Sequence, residues 1–139
     1  TAIIFFTVGS LDYLRIGGRI GKLASIATGK LGIKPIILLK NGELGLGGIG
    51  RSRAKLKKAV LDTVNKHFTD NNLSKDDYNF NVGWGYDKEE GAEFLKDAES
   101  TLGVKCLDEL NVDIGMTTAV HTGPYPIGVG IIQKYETLK

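Results

Sequence analysis

Gly45, Gly47 and Gly50, in the stretch GLGGIGRSRAKLKK, spell G-x-G-x-x-G just ahead of residues with helical spacing. A glycine turn opening a helix lays backbone N–H groups against a pyrophosphate, so this is the pattern of a dinucleotide site. A second candidate is AVHTGPYP, where His121 and Thr122 stand at a strand-to-turn junction stiffened by Pro124 and Pro126. A histidine beside a free hydroxyl there can bind an anionic head group. The third is GGRIGK, which presents Arg19 from a glycine break between two apolar helical stretches. Ser10, Asp12 and His121 can be drawn as a triad, yet no G-x-S-x-G elbow frames Ser10, which reads as a helix N-cap. Two histidines and one cysteine, widely scattered, give no metal-ligand spacing. His67, near a helix C-terminus where a cation suits the dipole, reads as structural.

The elements around these residues decide between the candidates. Ala2–Val8 is an unbroken apolar run, the pattern of a buried strand. A short helix follows near SLDYLR, and a second runs from about Lys22 to Lys30 with Leu23, Ile26, Ala27 and Leu31 on one stripe. IKPIILLKNGELGLGG predicts two strands joined at Asn41-Gly42, a strong hairpin signal. The three glycines therefore fall inside a return strand, where they favour close packing, rather than at a strand end. Asp70 stands about 20 residues on, but it precedes the next strand instead of following it. Arg51 to Phe68 is an amphipathic helix with Leu56, Val60, Val64 and Phe68 spaced by four. Lys55, Lys57 and Lys58 belong on its solvated face, while Arg51 and Arg53 are placed to meet acids of a neighbouring domain or a phosphate. NFNVGWGY predicts a strand, Lys88–Leu102 a helix with Ala92, Leu95, Ala98 and Leu102 inward, VKCLDEL a short strand, and IGVGIIQKY a last strand.

This order predicts one α/β domain of the α+β type, a two-layer structure with a mixed sheet and helices packed on one face. Its 139 residues, 42% hydrophobic and 24% charged, suit one globular domain. A net charge of +2 is too mild to argue for nucleic acid or membrane partners. The one cysteine, Cys106, cannot form an internal disulfide and fits a cytoplasmic location. The chain begins at Thr1 and passes at once into the apolar run, which we read as the mark of a piece of a longer protein.

FTVGSLDYLRIGGRIGKLASIATGKLGIKPIILLKNGEL and the closing HTGPYPIGVGII together resemble the C-terminal half of DegV-family proteins, in order from about Phe5 to Ile132. The resemblance implies a bacterial fatty-acid-binding protein similar to the binding subunits of fatty acid kinase. It implies that this domain and an N-terminal α/β domain, absent from these 139 residues, clasp one long-chain fatty acid. His121 with Thr122 would meet the carboxylate, Arg19 would couple to phosphorylation by a separate kinase subunit, and Leu23, Ile26 and Ala27 would line an acyl tunnel. Catalysis, a metal and a cofactor other than the fatty acid ligand are not implied. Tyr125 and Pro126 depart from the family's small residues after the Gly-Pro pair. Two other readings stay open: a nucleotide-binding or small-molecule enzyme domain using Gly45–Gly50, and a fragment that self-associates through an exposed apolar face.

Overall fold

A computed structural model describes residues 2–27, 33–108 and 112–138. Its centre is a six-stranded sheet in the order β3-β2-β1-β6-β4-β5. The strands are β1 (Ala2–Thr7), β2 (Lys34–Lys40), β3 (Glu43–Gly50), β4 (Tyr78–Trp84), β5 (Val112–Asp113) and β6 (Ile127–Gln133). All neighbours are antiparallel except β4 and β5, so the sheet is mixed as expected. Asn41 and Gly42 make the β2–β3 turn, both with positive φ (54° and 78°), the backbone that a two-residue hairpin requires. VKCLDEL is irregular over its described part. Its Leu107 N–H donates to Phe80 O beside β4, and the short parallel strand comes later, at Val112–Asp113.

Two long helices cover one face of the sheet. In α3 (Arg53–Asp70) the residues Leu56, Val60, Leu61, Val64 and Phe68 are buried at spacings of three and four. They pack on Ile3, Phe5, Ile36, Phe80, Val82, Val129 and Ile131, which alternate along their strands toward this face. In α4 (Lys88–Leu102) the inward residues are Gly91, Phe94, Ala98 and Leu102, and Ala92 is exposed. The indole of Trp84 sets this rotation, because it lies over Gly91, where a Cβ would come within 2.9 Å of its Cδ1. Both helices start at side-chain caps: Ser52 Oγ accepts from Lys55 N–H and Asp87 Oδ1 from Glu90 N–H. Gly103, at φ 66°, closes α4.

The glycines of β3 serve packing. A Cβ at Gly50 would lie 2.8 Å from Leu56 Cδ2, and one at Gly48 would lie 3.1 Å from Ile36 Cδ1. The G-x-G-x-x-G stretch is thus the floor on which α3 rests, and β3 carries it within a strand as the hairpin reading required.

The basic run after β3 also has a partner within the chain. Arg53 donates Nε and Nη2 to the two carboxylate oxygens of Glu90 at 2.9 and 2.8 Å. Lys57, expected in solvent, is mostly buried and lies 3.4 Å from the same carboxylate. The fork ties the first turn of α3 to that of α4. His67 has the structural role expected of it. Its ring lies tilted against Phe5 and edge-on to Phe68, and burial, with the charge of Lys40, lowers its pKa from 6.5 against the pull of Asp70.

Glu90 sets a pH dependence. The Arg53 hydrogen bonds hold its carboxyl below its ordinary value of 4.5, against the opposing effect of burial, and the Arg53 and Lys57 charges add to them. A pKa lowered by folding gives stability that is present above the unfolded value and is lost as pH falls through the folded one. Glu90→Gln is expected to cost on the order of 1–3 kcal/mol at pH 7. Its urea midpoint should also fall less than wild type's between pH 5 and pH 3; parallel losses would show that the fork is not energetically coupled.

Candidate functional site

The opposite face of the sheet is only partly covered. β1 is apolar on both sides, so while Ile3, Phe5 and Thr7 point toward α3, Ala2, Ile4 and Phe6 point away. At the Thr7 end this second face is closed by α1 (Asp12–Ile16), a 3₁₀ turn (Gly21–Leu23) and α2 (Ala24–Ala27). Leu14 and Leu23 are buried there with Val8 and Ile37, and Phe6, Leu11, Ile20 and Leu44 pack around them. The rest is open. Ile4 is 40% exposed and Ile132 45% exposed, large apolar residues in the middle of a sheet.

The open region is a trough of about 540 Å³, within the ~300–1,000 Å³ of small-molecule sites. Ile4, Phe6 and Leu39 form its apolar flank, and Gly128 and Gly130 of β6 form its floor. The registers Phe6↔Gly128↔Gly83 and Ile4↔Gly130↔Asn81 set Gly130 between two larger residues and Gly128 between Phe6 and a third glycine, so the floor is low along β6 and widens toward β4 at Gly83. Thr118 and Thr122 of α5 (Met116–Thr122), with Asp113 and Pro126, form the other end. The trough is therefore apolar along most of its length and carries hydroxyl groups at one end.

His121 and Thr122 lie in the last turn of α5, not at a strand-to-turn junction; Met116–Thr122 is one short helix that ends at Gly123 (φ 74°). Thr122 is buried, and its Oγ1 is near both Thr118 O (3.3 Å) and Gly123 O (3.2 Å). That hydroxyl can rotate its one proton onto an incoming oxygen. His121 is not in the trough wall. Its imidazole turns toward α1 and rests on Gly17, and its Nδ1 is buried without a hydrogen-bond partner among the described residues. Arg19 is exposed and folds back so that Nη1 donates to Gly17 O at 3.1 Å. The structure thus brings Arg19 and His121, a hundred positions apart in sequence, onto one residue.

The other candidate residues separate. Ser10 bonds to Asp12 through its hydroxyl (3.2 Å), and that hydroxyl also accepts from Asp12 N–H, while His121 joins neither. No triad is assembled. Leu23 is buried behind Phe6 and is not in the trough wall. Ile26 and Ala27 belong to α2, and their side chains lie outside the described residues, as does Leu31. Tyr125 lies over Gly9, where a Cβ would be 3.3 Å from Tyr125 Cβ, and Tyr13 covers Gly123 in the same way. Pro126 is buried beside the trough's hydroxyl end. Among the described residues no His, Cys, Asp and Glu cluster could hold a metal ion. Sequence reasoning missed the glycine floor of β6. The signal was there in IGVGIIQ, whose glycines alternate with core residues.

A family model described as an uncharacterised protein of the DegV family matches residues 1–134. The chain belongs to the DegV family. A DegV domain-containing protein of Clostridium acetobutylicum is 31% identical over 132 residues, which is 94% of this chain and 45% of that protein. One from Deinococcus radiodurans is 29% identical over 126 residues, 91% of this chain and 43% of the relative. This DegV chain spans less than half the length of these curated relatives. Among solved structures, a stearic acid-binding protein from Eubacterium ventriosum is 64% identical with a TM-score of 0.92, covering 99% of this chain and 46% of that one. A Thermus thermophilus DegV family protein, described by its fatty acid binding, is 25% identical with a TM-score of 0.76, covering 96% and 46%. No helix among the described residues is long and apolar enough to cross a membrane.

The glycine floor can be tested without a ligand. A Cβ on Gly128 would collide with Phe5 O and Phe6 Cβ and lie 2.7 Å from Phe6 Cα, whereas one on Gly115 meets nothing within 4 Å. Gly128→Ala is expected to lower stability by about 1–3 kcal/mol through overpacking. Gly115→Ala, at the N-cap of α5, should cost less, at most about 1 kcal/mol. Urea unfolding of both variants decides it, and equal midpoints would mean that the floor is not closely packed.

Proposed function

We propose that this DegV chain is the C-terminal half of a two-domain protein that binds a long-chain fatty acid. The observation that carries this reading is the open trough on the second face of the sheet, apolar along most of its length with hydroxyls at one end. Each methylene removed from water contributes about 0.8 kcal/mol, so an acyl chain laid along Ile4, Phe6 and Leu39 supplies its own driving force. A carboxylate is costly to bury without donors, so it belongs at the end where Thr122 stands. The stearic acid ligand of the Eubacterium ventriosum protein, 64% identical to this chain, supports the same assignment.

In this proposal the N-terminal domain covers the trough and contributes further hydroxyls. Thr122 turns its proton to the carboxylate, and His121 approaches it once the two halves close. Leu23 backs the acyl site through Phe6, and Ile26 and Ala27 extend the same segment. The chain performs no catalysis and takes the fatty acid as ligand, not as a cofactor. A separate fatty acid kinase subunit in the cytoplasm acts on the presented carboxylate, with Arg19, exposed at the tip of the α1 break, as its contact.

The test uses the longer protein that carries this chain. Organic extraction and mass spectrometry should recover a long-chain fatty acid in about one-to-one ratio. His121→Ala and Thr122→Val should lower that occupancy. Arg19→Ala should retain the ligand but reduce turnover by the kinase. Protein free of fatty acid would overturn the reading, unchanged occupancy in His121→Ala would remove that residue from the site, and normal turnover in Arg19→Ala would remove the kinase role.

A further inference from the structure

The two glycines of GGRI have different reasons to be glycine. Gly18 has φ +69°, a conformation that side chains rarely adopt, and a Cβ there would meet nothing within 4 Å. It is glycine for its backbone. Gly17 has φ −76° and ψ 1°, which any L-residue adopts, so its backbone does not require glycine. A Cβ at Gly17 would instead fall on His121 Nδ1, at 3.0 Å from Cε1 and 3.1 Å from Tyr13 O. Gly17 is glycine for the imidazole.

We propose that Gly17 is a positioning residue for His121, its missing side chain forming the slot that fixes where the imidazole stands. Three observations support this. The ring of His121 occupies the volume that any side chain at Gly17 would take. Its Nδ1 is buried there without a partner among the described residues, so packing rather than a hydrogen bond holds the ring from this side. The neighbouring contact of Tyr13 on Gly123 packs the same two helices, with a Cβ at Gly123 only 2.6 Å from Tyr13 Cε2, so widening the slot by parting α1 from α5 would also give up that contact. A methyl group at Gly17 must therefore move the ring or separate the helices. The ligand-linked part of this inference rests on the fatty acid reading above; the slot itself does not.

The experiment reads the ring directly. The chain has two histidines, His67 and His121, so ring nitrogen and carbon signals from ¹⁵N,¹³C-histidine labelling are assigned by one substitution. In ligand-free protein, Gly17→Ala is expected to shift the His121 ring signals and leave those of His67 in place. In the longer protein, stearate should shift the wild-type His121 signals. In Gly17→Ala that response should be lost and the apparent Kd for stearate should rise about tenfold or more, as when a charged group forfeits a hydrogen bond. The double variant Gly17→Ala/His121→Ala should melt at the temperature of His121→Ala alone, because the vacated ring space accepts the methyl group. Unmoved ring signals in Gly17→Ala, or a double variant less stable than His121→Ala, would overturn the slot. A wild-type His121 that ignores stearate would remove His121 from the carboxylate site instead, leaving the slot to be judged by the ligand-free spectrum and the double variant.

Discussion

A strand turns alternate side chains to opposite faces of its sheet, so an unbroken apolar run needs a covering on both sides. β1 is such a run at the centre of this sheet, and the chain provides one and a half coverings. Ile3 and Phe5 are closed in by α3, and Phe6 is partly covered by the α1 segment, but Ile4 faces outward with Ile132 beside it. The rest of the architecture follows from that imbalance. The long helices and their Arg53–Glu90 fork secure one face, which frees the other to remain a trough.

The hydroxyl end of the trough is built by elements from both ends of the chain. β1 and β6 are antiparallel neighbours, so the residues after Thr7 and those before Ile127 emerge at the same edge. There α1 and α5 meet through rings set on glycines: Tyr13 on Gly123, His121 on Gly17, and Tyr125 on Gly9 in the adjoining turn. Such contacts let short helices of five and seven residues pack closely, although neither length is stable in isolation.

Much of the architecture was legible in the order of residues. The α3 stripe, the Asn41-Gly42 turn and the end of α4 at Gly103 follow from local rules of periodicity and backbone freedom. The hairpin also settled the glycine fingerprint, since a turn ahead of Gly45 leaves no strand end for a cofactor loop. What local rules did not give was tertiary. MTTAVHT has weak helical propensity, with threonine and valine in four of seven positions, and α5 forms because α1 packs against it. The inward face of α4 depended on Trp84 from another strand, and the pairing of Lys57 depended on where α4 begins. The meeting of Arg19 with His121 at Gly17 joins positions that no window of sequence contains.

Along the β2–β3 ladder Ile36 pairs with Gly48 and Ile37 with Leu46, so Gly47 is an extra residue in the outer strand. β3 is the outermost strand of the sheet, eight residues long, with Leu46 52% and Ile49 57% exposed. A flat, apolar outer strand of that length is a template onto which another extended chain can add. The extra residue breaks the even spacing of donors and acceptors along β3 and increases its twist. The same glycine-rich segment that seats α3 thus also makes the outer strand a poorer template for another chain to add along the sheet's edge.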